Sequence, residues 1–155
     1  MHPNAELIER FYSSFAAKDA GGMRACYHKD VVFSDPVFPH LEGDRARAMW
    51  SMLVARGKDL KVVASNVSAD DKTGRAHWDA DYTFSKTKRP VHNSIDATFE
   101  FRDGLIIKHT DRFDLWKWTR MALGAPGVLL GWTPIIQNKV RDQADKGLEA
   151  WLRGS

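Results

Sequence analysis

Cysteine, long apolar runs and a marked excess of one charge are all missing from this sequence. Its 155 residues contain a single cysteine, Cys26, which excludes an intramolecular disulfide and a cysteine-based zinc site. No apolar run reaches the length needed to cross a membrane, and the first ten residues lack the apolar stretch of a signal peptide. We therefore expect a cytoplasmic protein that has no membrane partner.

Charge is nearly balanced, with 23 Lys and Arg residues against 20 Asp and Glu residues. A nucleic-acid-binding protein usually carries a larger basic patch, whereas the longest basic cluster here is "KTKR" at 86–89, in a predicted turn. Such a cluster is typical of a solvated turn, so we expect no nucleic-acid partner. The length and the 43% hydrophobic content suit one globular domain over residues 1–155.

Apolar residues recur at helical spacing early in the chain and alternate later. The spacing predicts three helices before residue 58, of which the second ends near Tyr27, and a short strand, "VVFS", before the third. Alternation then predicts an antiparallel meander of four strands, at 60–68, 75–86, 91–102 and 105–116. Further helices follow it. This order predicts an α+β fold, with a curved antiparallel sheet over the N-terminal helices.

Alternation in the last predicted strand divides its side chains between two faces. His109 and Asp111 fall on the more apolar face, together with Leu105, Ile107 and Phe113, so we expect them to point into the core. A buried charge is costly unless it is paired or its pKa shifts. The pair is therefore either a mutually satisfied core His–Asp contact or part of a functional site.

The sequence "HWDAD" at 77–81 resembles a metal-binding constellation. Alternation places His77, Asp79 and Asp81 on the outward face of their strand, while Trp78 and Ala80 point inward. An outward position favours a solvated or subunit-contacting surface, so we predict no metal site here.

An acidic residue, Asp35, interrupts the apolar run "VVFSDPVFPH" at 31–40. Asp and Pro both favour turns, and Pro36 disfavours helix at Asp35, so a plain turn explains the pattern. The alternative is a carboxyl group at the rim of an apolar pocket. Desolvation there raises the pKa of the carboxyl and makes it useful for proton transfer near neutral pH.

Two segments, "LIERFYSSFAAKDAGGMRACYHKDVVFSDP" and "DGLIIKHTDRFD", resemble the nuclear transport factor 2-like superfamily, which includes ketosteroid isomerase, limonene epoxide hydrolase and the SnoaL-like polyketide cyclases. The resemblance covers about residues 5–116. It implies a conical, cystatin-like α+β fold with a deep pocket for an apolar small molecule, no cofactor, and a homodimer formed through the outer sheet face. Residues 117–155 are then a C-terminal helical extension that caps the pocket, makes a subunit contact or adds core.

The resemblance transfers unevenly to the catalytic positions. The general base of the isomerase corresponds to Asp35, but its two oxyanion donors correspond to Phe11 and Ala97, which cannot donate a hydrogen bond. Steroid isomerisation by that mechanism is therefore not expected. The segment from His109 to Asp111 is similar to a His-x-Asp pattern of SnoaL-like proteins, which makes the cyclases the nearer likeness.

Together these patterns favour an isomerase, cyclase or hydrolase that works by general acid/base chemistry on an apolar substrate. In this hypothesis Asp35 is the base, His109 its proton partner and Asp111 the group that orients the imidazole. The residues predicted to line the substrate pocket are Tyr12, Phe11, Phe15, Phe33, Phe38, Trp50, Trp78 and Phe113. The alternative is a non-catalytic ligand-binding or dimerisation module of the same fold.

Overall fold

Three helices form the layer that covers the sheet. The computed structural model describes residues 1–154 and places these helices at α1 (Pro3–Ala16), α2 (Ala20–Ala25) and α3 (Asp44–Arg56). Asp19 caps α2, because its side chain accepts a hydrogen bond from the backbone N–H of Gly22. The buried side of α1 consists of Ala5, Leu7, Ile8, Phe11, Tyr12 and Phe15. Its apolar residues recur every three or four positions, which gives one continuous buried stripe.

Six strands form one curved, open sheet in the order β2-β1-β6-β5-β4-β3. The strands are β1 (Tyr27–Ser34), β2 (Leu41–Glu42), β3 (Lys61–Ala69), β4 (Thr73–Phe84), β5 (Arg89–Arg102) and β6 (Leu105–Arg112). Strands β3 to β6 form the predicted antiparallel meander. The early strand β1 joins this meander by pairing parallel to β6. The expected α+β fold is confirmed.

An irregularity in strand pairing changes which residues of β6 face the core. The register between β5 and β6 shifts between Glu100 and Phe101, and a shift of this kind reverses the alternation of side chains. Ile106 is consequently buried, while Ile107 is only partly so. The inward assignment of Ile107 was therefore wrong, whereas that of His109 and Asp111, beyond the shift, is confirmed.

The chain turns from sheet to helix earlier than the alternation predicted. Strand β6 ends at Arg112, and α4 (Leu115–Leu123) begins where the sequence pattern still indicated strand. Gly124 ends α4, and the short helix α5 (Ala125–Leu130) follows directly. The last helix, α6 (Pro134–Gly154), follows. No helix within residues 1–154 combines the length and apolar character needed to span a membrane.

The C-terminal helices are part of the core as well as additions to it. Leu148 of α6 is completely buried in the main apolar cluster, and α6 packs against α3. Helix α4 packs on β5 and builds a second cluster around Trp118. Three partly buried side chains border both clusters: Val37, Tyr82 and Phe113. The place where the clusters meet therefore lies beside the loop that follows β1.

Replacing Leu148 with Ala should lower the free energy of unfolding by about 2–5 kcal/mol, because the change leaves a cavity in the core. Urea unfolding measures this loss. The matched control is Ile135→Ala in the same helix, where the side chain is exposed and the change should stay within about 0.5 kcal/mol. Equal effects of the two variants would contradict the packing of α6 into the core.

Candidate active site

Asp35 closes a tight turn immediately after β1. One oxygen of its carboxyl, Oδ1, accepts hydrogen bonds from the backbone N–H groups of Val37 at 2.7 Å and Phe38 at 2.5 Å. The Asp35 N–H in turn donates to the carbonyl of Phe38 at 2.9 Å. This is the turn chemistry that Asp and Pro favour. It fixes the carboxyl group and leaves the second oxygen without a protein donor among the described residues.

The surroundings of Asp35 favour its protonated form. Burial is the largest influence and, together with the negative charge of Asp111, it raises the pKa of Asp35 to about 7, against the lowering effect of the two backbone N–H donors. Although the carboxyl is desolvated, the residue as a whole remains partly exposed. Asp35 is thus an acid that can both hold and release a proton near neutral pH.

Asp111 is held by a chain of buried hydrogen bonds. Its Oδ1 lies 2.8 Å from His109 Nε2 and accepts a hydrogen bond from Trp78 Nε1 at 3.4 Å. His109 Nδ1 lies 2.7 Å from the Tyr27 hydroxyl, which accepts a hydrogen bond from Trp50 Nε1 at 2.8 Å. A ring nitrogen that faces a carboxyl oxygen donates, so His109 donates through Nε2, and the Tyr27 hydroxyl, which accepts from Trp50, donates to Nδ1. Every member of the chain has a partner.

Aromatic rings enclose His109 on all sides, and its exposed fraction is 0%. Phe99, Phe33 and Phe11 lie with their ring centres 4.5, 5.0 and 5.5 Å from the imidazole centre, and Trp50 stacks on it at 5.9 Å. Both ring nitrogens are already engaged. The predicted pairing of His109 with Asp35 is therefore absent from the structure: the charged neighbour of Asp35 is Asp111, which His109 orients.

Tyr12 carries a polar group that the protein itself does not satisfy. Its hydroxyl is fully buried and has no hydrogen-bond partner among the described residues. Burial, followed by the negative charge of Asp111 and by Tyr27, raises the pKa of Tyr12 well above its ordinary value, so the group stays protonated. A buried donor without an acceptor costs about 1–3 kcal/mol. The Tyr12 hydroxyl is the one buried side-chain hydroxyl among the described residues that has no hydrogen-bond partner.

Most of the eight predicted pocket residues are buried. Phe11, Phe15, Phe33 and Trp50 are at most 2% exposed and pack against each other or against His109, so they belong to the packed core, as do Tyr12 and Trp78. Phe38 follows Asp35 in its turn, while Phe113 borders both apolar clusters.

Sequence reasoning missed two hydroxyl groups whose hydrogen bonds or charges connect them to the candidate site. Tyr27, assigned to a helix end, opens β1 and holds His109. Tyr82 accepts a hydrogen bond from Trp118 Nε1 at 2.7 Å, and its pKa is raised by burial and then by the charge of Asp35. The alternation that places Trp78 and Ala80 inward continues to Tyr82, and this was the signal that could have identified it.

The outer face of the sheet holds the other His–Asp cluster. His77 Nδ1 lies 2.9 Å from Asp96 Oδ1, and His92 Nδ1 lies 2.7 Å from Asp81 Oδ1. Between them Asp79 accepts a hydrogen bond from Ser94 at 2.5 Å. Hydrogen bonds to Asp96 and Asp79 raise the pKa of His77 despite some desolvation. Within residues 1–154 no three His, Cys, Asp or Glu side chains are arranged to hold a metal ion.

Comparison of the sequence with models of known protein families identifies the family of this chain. The family model described as a SnoaL-like domain matches residues 8–109, which is most of the chain. The chain belongs to the SnoaL-like domain family. The match contains α1 from residue 8 onward, strands β1 to β5, β6 as far as His109, and the Asp35 turn, whereas Asp111 lies just beyond it. No curated protein matches the sequence.

Solved structures of the same fold extend over most of the chain. A protein from Jannaschia sp. CCS1, assigned provisionally as a SnoaL-like polyketide cyclase, is 17% identical with a TM-score of 0.69, covering 80% of this chain and 93% of its own. TerC, co-crystallised with polyporic acid, is 16% identical (TM-score 0.66; 77% and 98% covered). An epoxide hydrolase of the LEH-like type from M. tuberculosis is 17% identical (0.63; 84% and 97%). At these identities the likeness shows the shared SnoaL-like fold.

The raised pKa of Asp35 predicts an unusual dependence of stability on pH. The folded state binds more protons at Asp35 than the unfolded state between about pH 4 and pH 7, so this contribution to stability is complete below about pH 4 and is lost as the pH rises through about 7. Asp35→Asn keeps the acceptor of the turn but removes the charge. It should therefore be more stable than the parent by roughly 1–4 kcal/mol at about pH 8, with the difference vanishing near pH 4.

Asp70→Asn is the matched control for this measurement by urea unfolding. Asp70 also accepts two backbone N–H hydrogen bonds in a turn, from Lys72 and Thr73 at 2.8 Å each. It is exposed, however, and these hydrogen bonds lower its pKa. Removing its charge should leave stability unchanged or slightly lower near neutral pH. A destabilised Asp35→Asn at about pH 8 would contradict the placement of Asp35.

Proposed function

We propose that this protein is a general acid/base enzyme, an isomerase, cyclase or hydrolase, that acts on an apolar small molecule through its own carboxyl groups. The observation that carries the proposal is the Asp35 carboxyl, anchored through one oxygen and with a pKa of about 7. A base with a pKa near the working pH combines a sufficient deprotonated fraction with adequate strength. An aspartate that only stabilised the turn would not need a desolvated carboxyl group.

The proposed reaction begins with proton abstraction. The free oxygen of Asp35 removes a proton from a carbon next to a carbonyl group, and the electron pair of the broken C–H bond moves into a C=C bond as the carbonyl oxygen gains negative charge. The unpartnered hydroxyl of Tyr12 donates a hydrogen bond to that oxygen. Asp35 then returns its proton to the same or another carbon, or the enolate attacks a second carbonyl and closes a ring.

Asp111 adds to the effect of burial on the strength of the base in this proposal. Its charge raises the pKa of Asp35, and its own position is fixed by His109, Tyr27 and Trp50. His109 therefore acts as a positioning residue, since it reaches no bound molecule from within its shell of aromatic rings.

An apolar substrate fits both the surroundings and the comparisons. Val37, Tyr82 and Phe113 border the two apolar clusters beside the Asp35 turn. Proteins of this fold include one crystallised with polyporic acid and one described as an epoxide hydrolase. These neighbours support a small organic molecule as the ligand. We propose that the reaction takes place in the cytoplasm.

A second candidate is a binding module without chemistry. The dense packing around His109 favours it, because that ring belongs to the core. The two candidates differ in what Asp35 does: an enzyme needs its carboxyl to move protons, whereas a binding module needs only its turn.

Deuterium exchange into β-tetralone tests the enzyme directly, because enolisation of this apolar ketone needs only the proposed base and donor. Proton NMR in D2O should show faster exchange with the parent protein than without protein. The rate should rise with pH and level off above about pH 7, as Asp35 loses its proton. Asp35→Asn should lower the protein-catalysed rate by about 100-fold or more.

Asp70→Asn is the control for this assay and should exchange at the parent rate. Tyr12→Phe should lower the rate by about ten- to a thousand-fold while leaving the pH dependence unchanged. Saturation-transfer NMR on the same samples reports binding of β-tetralone. Binding by both the parent and Asp35→Asn with no acceleration by either would overturn the enzyme in favour of the binding module.

We also propose a homodimer formed through the outer face of the sheet. Along this face acidic Asp79 and Asp81 lie toward one end, and basic Arg75 and Lys108 toward the other, where Lys108 pairs with Glu100. Asp96 and Arg112 lie opposite each other between these ends. A two-fold axis near the middle would bring the acidic end of each copy onto the basic end of its partner.

Light scattering after size exclusion tests the dimer. Arg75→Glu should weaken it by about tenfold, since like charges would then face each other. Lys72→Glu makes the same charge change in the turn between β3 and β4 and should have no effect. A monomeric parent protein at all concentrations would refute the dimer.

A further inference from the structure

An exposed apolar patch lies in the C-terminal extension, formed by Val128, Leu129, Leu130, Trp132 and Ile135. Their exposed fractions run from 49% to 72%, and they are five of the nine large apolar residues that stand out strongly from residues 1–154. All five lie within eight consecutive positions. Scattered exposed apolar residues are normal, but a concentration of this kind marks an interaction surface.

The backbone holds this patch facing outward. Helix α5 packs on α4 so closely that a Cβ atom at Gly127 would lie 2.0 Å from the Thr119 carbonyl oxygen, and one at Gly131 would lie 2.0 Å from the Thr119 hydroxyl. Only glycine permits this approach. The other side of α5 therefore faces solvent. The indole of Trp132 is fixed as well, since its Nε1 donates to the Leu129 carbonyl at 3.2 Å.

The charged residues in the sequence around the patch are all basic. Residues 115–141 contain two lysines and two arginines and no acidic residue. The segment thus carries four positive charges in a chain whose formal net charge is +3. Two of these cations, Lys117 and Lys139, are exposed, and the guanidinium of Arg120 lies 4.5 Å from the ring centre of the half-exposed Trp116.

We propose that this patch docks on the surface of an anionic lipid membrane. Surface-bound helical segments combine Trp and Leu on one side with Lys and Arg around them and insert their apolar side chains at the boundary between headgroups and acyl chains. The basic residues gain from the negative potential of the lipid surface. A second copy seated on the same patch would instead bring two segments of equal positive charge together.

Helix α6, which begins at the patch, also contacts the loop of the candidate site. Arg141, one turn and a half beyond Ile135 in α6, donates from Nε to the Pro36 carbonyl at 2.8 Å, next to Asp35. Docking would bring that loop toward the membrane surface, in which apolar molecules dissolve. The proposal stands whether or not Asp35 is a base, because its test measures only binding.

Sedimentation with vesicles tests the proposal on the full chain. Vesicles of phosphatidylcholine mixed with phosphatidylglycerol should bind the protein at low salt, and vesicles of phosphatidylcholine alone should bind it at least about tenfold more weakly. Added salt should weaken the binding. The triple variant L129S/W132S/I135S should lose at least about tenfold in affinity. A parent protein that binds neither kind of vesicle would overturn the proposal.

Two controls separate the patch from general effects of charge and exposure. Val63→Ser removes an apolar side chain that is 66% exposed on β3 and should leave vesicle binding unchanged. Lys117→Glu with Lys139→Glu should weaken binding to anionic vesicles by about tenfold, whereas Lys29→Glu with Lys72→Glu should weaken it much less. Equal losses in the two charge-reversed pairs would overturn the site. So would a triple variant that loses oligomers in light scattering but keeps its vesicle binding, because the patch would then hold a second copy.

Discussion

The candidate site depends on the cost of burying the carboxylate of Asp111. A negative charge in an apolar interior is stable only when hydrogen-bond donors replace the lost water. Here Trp78 and His109 supply those donors, and Tyr27 and Trp50 hold His109 in the tautomer that donates. Because this charge is fixed, it acts on Asp35 from a constant position and helps to raise its pKa.

The aromatic residues serve this electrostatic arrangement as well as the core. Their rings exclude water from His109, and the low polarity that results strengthens each hydrogen bond in the chain. The same packing prevents His109 from reaching a bound molecule. The two carboxyl groups therefore lie in different environments. Asp111 is buried and fixed, whereas Asp35 lies in a turn at the partly exposed margin, where it can exchange a proton with a molecule outside the core.

The sequence predicts the architecture well because long stretches of it are strictly periodic. Three helices precede residue 58, as expected, and alternation identified the buried face of β4 at Trp78 and Ala80. Prediction failed where strand pairing is irregular. The shift in β5–β6 pairing buries Ile106, and a second shift, between Tyr27 and Val32 in β1, hid the role of Tyr27.

The candidate site was predictable in its members but only partly in its contacts. An acidic residue before proline at the end of a strand identified Asp35. The alternation of side chains along the last strand predicted that His109 and Asp111 point inward. Which of them would face Asp35 depends on the curvature of the sheet and on the rings around the imidazole, and neither leaves a local pattern in the sequence. The long-range hydrogen bond from Trp50 to Tyr27 is likewise a product of tertiary packing.

The C-terminal extension shows how one stretch of sequence can satisfy two opposite environments. Trp118 and Leu148 are buried against the sheet and α3, whereas Leu129, Trp132 and Ile135 remain exposed between them. Burying Leu129 as well would require α5 to turn over, and Gly127 and Gly131 are packed too closely on Thr119 for that. The exposure of Leu129 is thus a consequence of how α5 is anchored. Exposing these three side chains to water is unfavourable in free energy, and only contact with an apolar partner can remove this cost.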